Sequence, residues 1–185
     1  VISKADWIAE KMDYLNSVKV PHANLDGYQT RAHTLRLVAS DCLKITIRMQ
    51  ENNVIVCFPN SYNDTDSVVR QAAQKAIEMA YRQEALEYLP TRLEHLASEI
   101  GAQYRKLSIK KTTSRWGSCS SKNNINLSIY LMKLPDALID YVILHELCHI
   151  KYKNHGEGFW GELDKLTGGR AKSLAREIRK YRTGI

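Results

Sequence analysis

The spacing of apolar residues changes along this chain, and the changes divide it into elements. Trp7, Ile8, Met12 and Leu15 recur at helical spacing after Ser3, with Asp6 placed to complete a capping box, which predicts a first amphipathic helix. Pro21 and Asp26-Gly27 end it. From Thr34 the period falls to two. Leu35 and Leu37, then Leu43, Ile45 and Ile47, then Val54, Val56 and Phe58 predict three short strands, separated by Ser40-Asp41 and Glu51-Asn52-Asn53. A small antiparallel sheet is expected.

A polar loop from Asn60 to Asp66 follows, in which Asp64 or Asp66 can cap a long helix running toward Gly101. Pro90 lies inside that pattern. Because proline lacks the backbone donor and its ring clashes with the preceding turn, a break or kink is expected between Leu89 and Thr91. Lys106 to Cys119, with Leu107, Ile109 and Thr112-Thr113, reads as a strand; Asn124 to Leu131 reads as its return, with Ser120 to Asn123 as the turn. Pro135-Asp136 then opens a helix. Phe159, Trp160, Leu163 and Leu166 fit a short helix ended by Gly168-Gly169, and Ala171, Leu174, Ala175, Ile178 and Tyr181 form a last helical stripe. The class is therefore α+β. An N-terminal helix and small β segment is expected over 1–63, and the main domain over 64–185.

The helix opened by Pro135 carries the chemistry. It contains His145-Glu146-Leu147-Cys148-His149, and its Val142, Ile143, Leu144, Leu147, Cys148 and Ile150 make it apolar nearly all round, as a buried helix is. A buried helix does not hold His, Glu and His without partners. Histidines four apart project from one helix face, so both imidazoles can bind one metal ion from a rigid element. Glu146 sits beside the first of them, where it can reach a water activated by the metal and act as a general base. A hydrolase with one Zn2+ ion is the expectation.

A catalytic zinc keeps three protein ligands and one open position. His155 is the first choice for the third, because Asn154 and Gly156 allow the chain to double back over the metal. Glu157 and Glu162 compete with it. The offset from His149 to His155 is that of the metzincins, but Tyr152 stands where those carry Gly and they carry a Met-turn further on, so that family is not assigned. Cys119 could approach a metal as a thiolate, against its plainer reading as a hairpin residue.

Ser114-Arg115-Trp116-Gly117-Ser118-Cys119, Asn124-Ile125-Asn126-Leu127, Pro135, Ile139-Asp140-Tyr141-Val142, His-Glu-Leu-Cys-His, Asn154-His155 and Phe159-Trp160 occur in an order that resembles the YgjP-like metallopeptidase family, a zincin group similar to the SprT and WLM proteins. The resemblance is dense from Ile100 to Leu163 and thin upstream. It implies a zincin-like metallopeptidase domain, zinc on His145, His149 and His155, Glu146 as catalytic acid/base, and a peptide or protein substrate. It also implies that the β segment is the end of the family's N-terminal β module, lacking that module's first strands. The role of Arg115 stays open: it could steady a developing oxyanion or a substrate carboxylate, or pair with Asp140 or Glu146 while Trp116 packs in the core. Gly117 permits close backbone approach, and a strand edge beside a metal can hold an extended peptide by main-chain hydrogen bonds.

Composition narrows the partners. With 185 residues and 44% apolar content the chain supports a packed core, and no run is long enough to cross a bilayer. It starts at Val1 without Met, so the lack of a signal-peptide pattern says little; Cys42, Cys57, Cys119 and Cys148 show no C-x-x-C spacing and a chain of this apolar content does not need disulfides, so a reducing cytoplasm is expected. The formal charge of +7 raises two alternatives. The same centre could hydrolyse nucleotides or other phosphate compounds, or the basic face of Arg170, Lys172, Arg176, Arg179, Lys180 and Arg182 could contact nucleic acid in a SprT-like module. No phosphate-binding loop or nucleic-acid motif accompanies either, and neither is favoured.

Overall fold

The computed structural model describes residues 25–184, so the helix expected after Ser3 lies outside the described residues. In chain order the elements are strands β1 (Thr34–Ser40), β2 (Thr46–Gln50) and β3 (Asn53–Pro59), helix α1 (Ser67–Glu99), and strands β4 (Lys106–Lys110), β5 (Gly117–Cys119) and β6 (Asn124–Ser128). A 3-10 segment (Ile129–Lys133), helices α2 (Asp136–Lys151), α3 (Glu157–Leu166) and α4 (Ala171–Glu177) and a final 3-10 turn (Ile178–Lys180) complete them. The class is α+β, as expected.

The first sheet is mixed and not antiparallel. Its order is β1-β3-β2. β3 runs antiparallel to β2 but parallel to β1, pairing Leu35 with Val54 and Leu37 with Val56. Alternation of apolar residues tells which face a strand buries; it says nothing of direction, because side chains alternate the same way in both pairings. Leu43, expected within the second strand, lies in the connection before it and is 100% exposed.

The second sheet has the order β4-β6-β5, with β6 parallel to β4 and antiparallel to β5. The stretch expected as one strand from Lys106 to Cys119 is thus two strands on opposite edges, joined by a loop over 111–116. Ser128, the last residue of β6, anchors both ends of that loop: its buried hydroxyl donates to the Thr112 carbonyl at 2.8 Å, and its N–H donates to the Trp116 carbonyl at 2.9 Å. The β5–β6 hairpin has its expected turn, with Asn123 at the left-handed φ of 58, but the return strand expected to reach Leu131 stops at Ser128, where the 3-10 segment begins.

Helix α1 ties the parts together. It packs on both sheets, on the 3-10 segment and on α2, and these share one buried cluster from Leu35 and Val56 to Leu138, Ile143 and Phe159. Arg92 of α1 grips Asp140 of α2 in a two-pronged pair at 2.6 and 2.7 Å. Glu78 receives the Tyr130 hydroxyl at 3.0 Å and pairs with Lys111 at 2.7 Å. Glu84, only 3% exposed, accepts hydrogen bonds from Thr30, the Ala32 N–H and His33, which fixes the segment before β1.

Pro90 does not break α1, which is helical from Ser67 to Glu99. Leu89 and Leu93, fully buried on either side of the proline, hold the helix axis in place through packing. The carbonyl that loses its partner belongs to Leu86, which is 52% exposed, so water can replace the missing donor. Asp66 is the N-cap by position, yet its side chain accepts from the Asn63 N–H at 2.8 Å and not from the helix. Since α1 already runs through Pro90, the Pro90→Ala variant should gain about 1–3 kcal/mol of stability by restoring the ladder bond. Urea unfolding checks this; a loss of stability would mean that the proline ring is needed where it packs.

Candidate metal centre

Helix α2 starts where Pro135 takes the N-cap with Asp136 in the first turn, a charge that suits the positive end of the helix. Leu138, Ile139, Tyr141, Val142, Ile143, Leu144, Leu147 and Cys148 bury it nearly all round. His145 and His149 project one turn apart with ring centroids 4.9 Å from each other. Beyond the C-cap Tyr152 the chain doubles back, and Gly156 caps the start of α3. That return puts the His155 ring 5.0 Å from His145 and 4.7 Å from His149.

The three imidazoles converge. One nitrogen from each lies within 4.8 Å of the others, and His145 Nε2 and His155 Nε2 stand 3.0 Å apart. Two imidazole nitrogens on one tetrahedral ion lie about 3.3 Å apart, so the set fits a divalent metal with little adjustment. Burial, followed by the neighbouring His149 and His155, pushes the His145 pKa down to about 4; burial and then His149 also lower that of His155. These two rings are therefore neutral at neutral pH, the form that ligates metal.

The surroundings orient the rings. His149 Nδ1–H donates to the Tyr152 carbonyl at 2.9 Å, which leaves its Nε2 lone pair for the centre. Phe159, fully buried, lies under all three rings, with centroids 4.8 Å from His145 and 4.7 Å from both His149 and His155. A Cβ at Gly158 would stand 2.8 Å from the Tyr152 ring, so a glycine there lets α3 close onto the turn that carries His155. Tyr152 and Gly158 have no metal-binding chemistry, and their supporting roles do not stand out in the sequence. Their only signal there is a small residue six places beyond an aromatic one.

Glu146 projects sideways, toward β5. A Cβ on Gly117 would come within 2.8 Å of its Cγ and Oε1. The close approach expected at Gly117 is thus made first by this carboxylate. Its Oε2 is buried without a partner. Burial raises the Glu146 pKa to about 7, partly offset by the Arg115 charge and the Cys119 backbone N–H on the β5 side.

Other expected candidates fall outside the cluster. Cys119 turns its thiol to the Ser120 carbonyl at 3.6 Å, and burial raises its pKa. Among the described residues only the three histidines form a group of metal-binding side chains, so neither Glu157 nor Glu162 joins it. Arg115 is exposed and does not pair with Asp140, which Arg92 holds instead; its charge acts on Glu146.

The packing of Gly117 gives a test that needs no substrate. Gly117→Ala should cost about 1–3 kcal/mol through overpacking against Glu146. Gly161→Ala, inside α3 with nothing within 4 Å of the added methyl, should instead stabilise by about 0.5–1 kcal/mol. Denaturant unfolding of the two variants checks the contrast, and equal stabilities would refute the close contact.

Known proteins resemble parts of this chain. Two solved structures are similar: the metallopeptidase zymogen of Pyrococcus abyssi abylysin, 26% identical over 52% of this chain and 98% of that one, with a TM-score of 0.45, and that of Methanocaldococcus jannaschii jannalysin, 25% identical over 49% and 93%, with a TM-score of 0.44. No curated protein matches. The model of the YgjP-like metallopeptidase domain matches residues 1–181, and the chain belongs to that family of metal-dependent peptidases.

Proposed function

We propose that this protein is a zinc peptidase in which His145, His149 and His155 hold one zinc ion and Glu146 is the general base and acid. The observation that carries this reading is the convergence of three imidazole nitrogens beside a buried carboxylate. Three nitrogen donors suit zinc and leave a coordination position open. When bound, zinc polarises a carbonyl and lowers the pKa of water toward neutrality.

The chain's own groups supply the proton transfers. The Glu146 carboxylate takes a proton from the attacking water and returns it to the leaving amine nitrogen of the peptide. The Cys119 N–H and the wall at Gly117 keep the carboxylate in one orientation during both transfers. Phe159 and the partly buried Trp160 exclude water from the inner side of the imidazoles. Arg115 stands exposed near Glu146, where it can meet a developing oxyanion or a substrate carboxylate.

No described helix is long and apolar enough to cross a membrane. All four cysteines are free, which suits a reducing compartment such as the cytoplasm.

Metal content and turnover, measured together, test the proposal. Protein stripped with chelator should regain peptide hydrolysis when one equivalent of zinc is added. Glu146→Gln should keep its zinc and lose about 10²–10⁴ in rate, the usual worth of acid–base participation. His149→Ala should lose both zinc and activity. A Glu146→Gln protein that sheds its metal, or that cleaves every substrate of the parent at full rate, would show that Glu146 is not the acid/base. Turnover of nucleotides with no peptide cleavage would overturn the peptidase assignment itself.

A further inference from the structure

The loop over 111–116 leads into Gly117, the residue against which Glu146 packs. Its ends are fixed to the body of the protein. Lys111 pairs with Glu78 at 2.7 Å, and Ser128 holds the carbonyls of Thr112 and Trp116. Its middle, Thr113 to Arg115, is exposed. At this point the contact comes from the far end of the described chain: the Thr183 hydroxyl donates to the Thr113 carbonyl, and a Cβ on Gly184 would rest 3.7 Å from the Thr113 methyl.

That end segment has its own anchor. Lys133, at the close of the 3-10 segment that follows Ser128, donates from its ammonium to the Arg182 carbonyl at 3.2 Å and the Gly184 carbonyl at 2.6 Å. The ammonium is partly withdrawn from water, so these carbonyls replace solvent that the charge has lost. Four residues before Lys133, Ile129 begins a fully buried run through Leu131, so the anchor is set in the core. A continuous path thus runs from the core through Lys133 to residues 182–184, to Thr113, and along the loop to Arg115 and Gly117.

We propose that Lys133 and residues 182–184 form a strap that holds the loop over 113–116, and through it the wall at Gly117, in register with Glu146. Lys133 and Thr183 are positioning residues for the hydrolysis proposed above, on which the functional part of this inference rests. The strap is needed because the loop carries the charge that acts on the Glu146 carboxylate and leads into the wall at Gly117, while its middle is exposed. Misplacement of a catalytic group by about 1 Å can cost roughly 10² in rate.

The experiment uses the full chain and four variants: Thr183→Val, which removes the hydroxyl and keeps the shape, Thr183→Ser, which restores it, Lys133→Met, which removes the ammonium and keeps the stem, and the Lys133→Met/Thr183→Val pair. Amide hydrogen exchange is followed over 113–117 and in α1, with zinc content and the kcat and KM of a peptide that the parent cleaves. Loss of one hydrogen bond of ordinary worth should speed exchange over 113–117 by about two- to tenfold, with α1 unchanged. The double variant should lose about threefold or more in kcat at full zinc content and near-parental KM, and Thr183→Ser should behave as the parent. Parental exchange over 113–117 in the double variant overturns the strap, and so does a faster exchange that extends equally through α1. A parent that hydrolyses no peptide refutes the proposed function instead, and the exchange data still decide the strap.

Discussion

The contact between Gly117 and Glu146 governs the rest of the site. A buried carboxylate must either find hydrogen-bond donors or give up its charge, and on an apolar helix such as α2 the nearest donors belong to the backbone of a neighbouring strand. β5 supplies the Cys119 N–H, but it can do so only by lying so close to α2 that a side chain at 117 would collide with Glu146. Oε2 is left without a partner, and burial raises the pKa to about 7. Satisfying the carboxylate fully would have made it a poor base.

The imidazoles are held by a different means. Their orientation comes from an aromatic floor, since Phe159 touches all three rings, together with the hydrogen bond from His149 to the Tyr152 carbonyl. The turn after α2 makes both possible. It ends the helix at Tyr152, presents that carbonyl inward, and returns His155 and Phe159 to the centre from one short segment. Gly158 allows the Tyr152 ring to lie close against α3, so the return is tight. Apolar packing thus sets the geometry of a polar centre, and it also keeps His145 and His155 neutral.

Distant parts of the chain serve the same geometry through α1. At about 50 Å, a helix of this length reaches from the first sheet to the metal helix. Its Arg92 fixes Asp140 five residues before the first imidazole, and its Glu78 holds both Tyr130, in the 3-10 segment after β6, and Lys111, at the start of the loop that leads to Gly117. Paired charges of this kind hold a register between elements more than they add stability, because their desolvation offsets much of the attraction.

Periodicity and local chemistry determined much of this protein. The strands of the first sheet, the long helix α1, the hairpin turn at Ser120 to Asn123, the opening of α2 at Pro135 and the grouping of His145, His149 and Glu146 on one helix are all consequences of spacing within a few residues, which a sequence displays directly. Tertiary structure decided what spacing cannot encode. The parallel pairing of β1 with β3 depends on where β2 adds to the sheet, and alternation is blind to that. The fate of Pro90 depended on Leu89 and Leu93 being buried beside it, the partner of Asp140 on which cation reached it first in space, and the occupant of the space at Gly117 on a helix almost thirty residues away. Local propensities are properties of a few bonded neighbours, whereas strand direction, ion-pair choice and close packing are set by surfaces that meet only after the chain has folded.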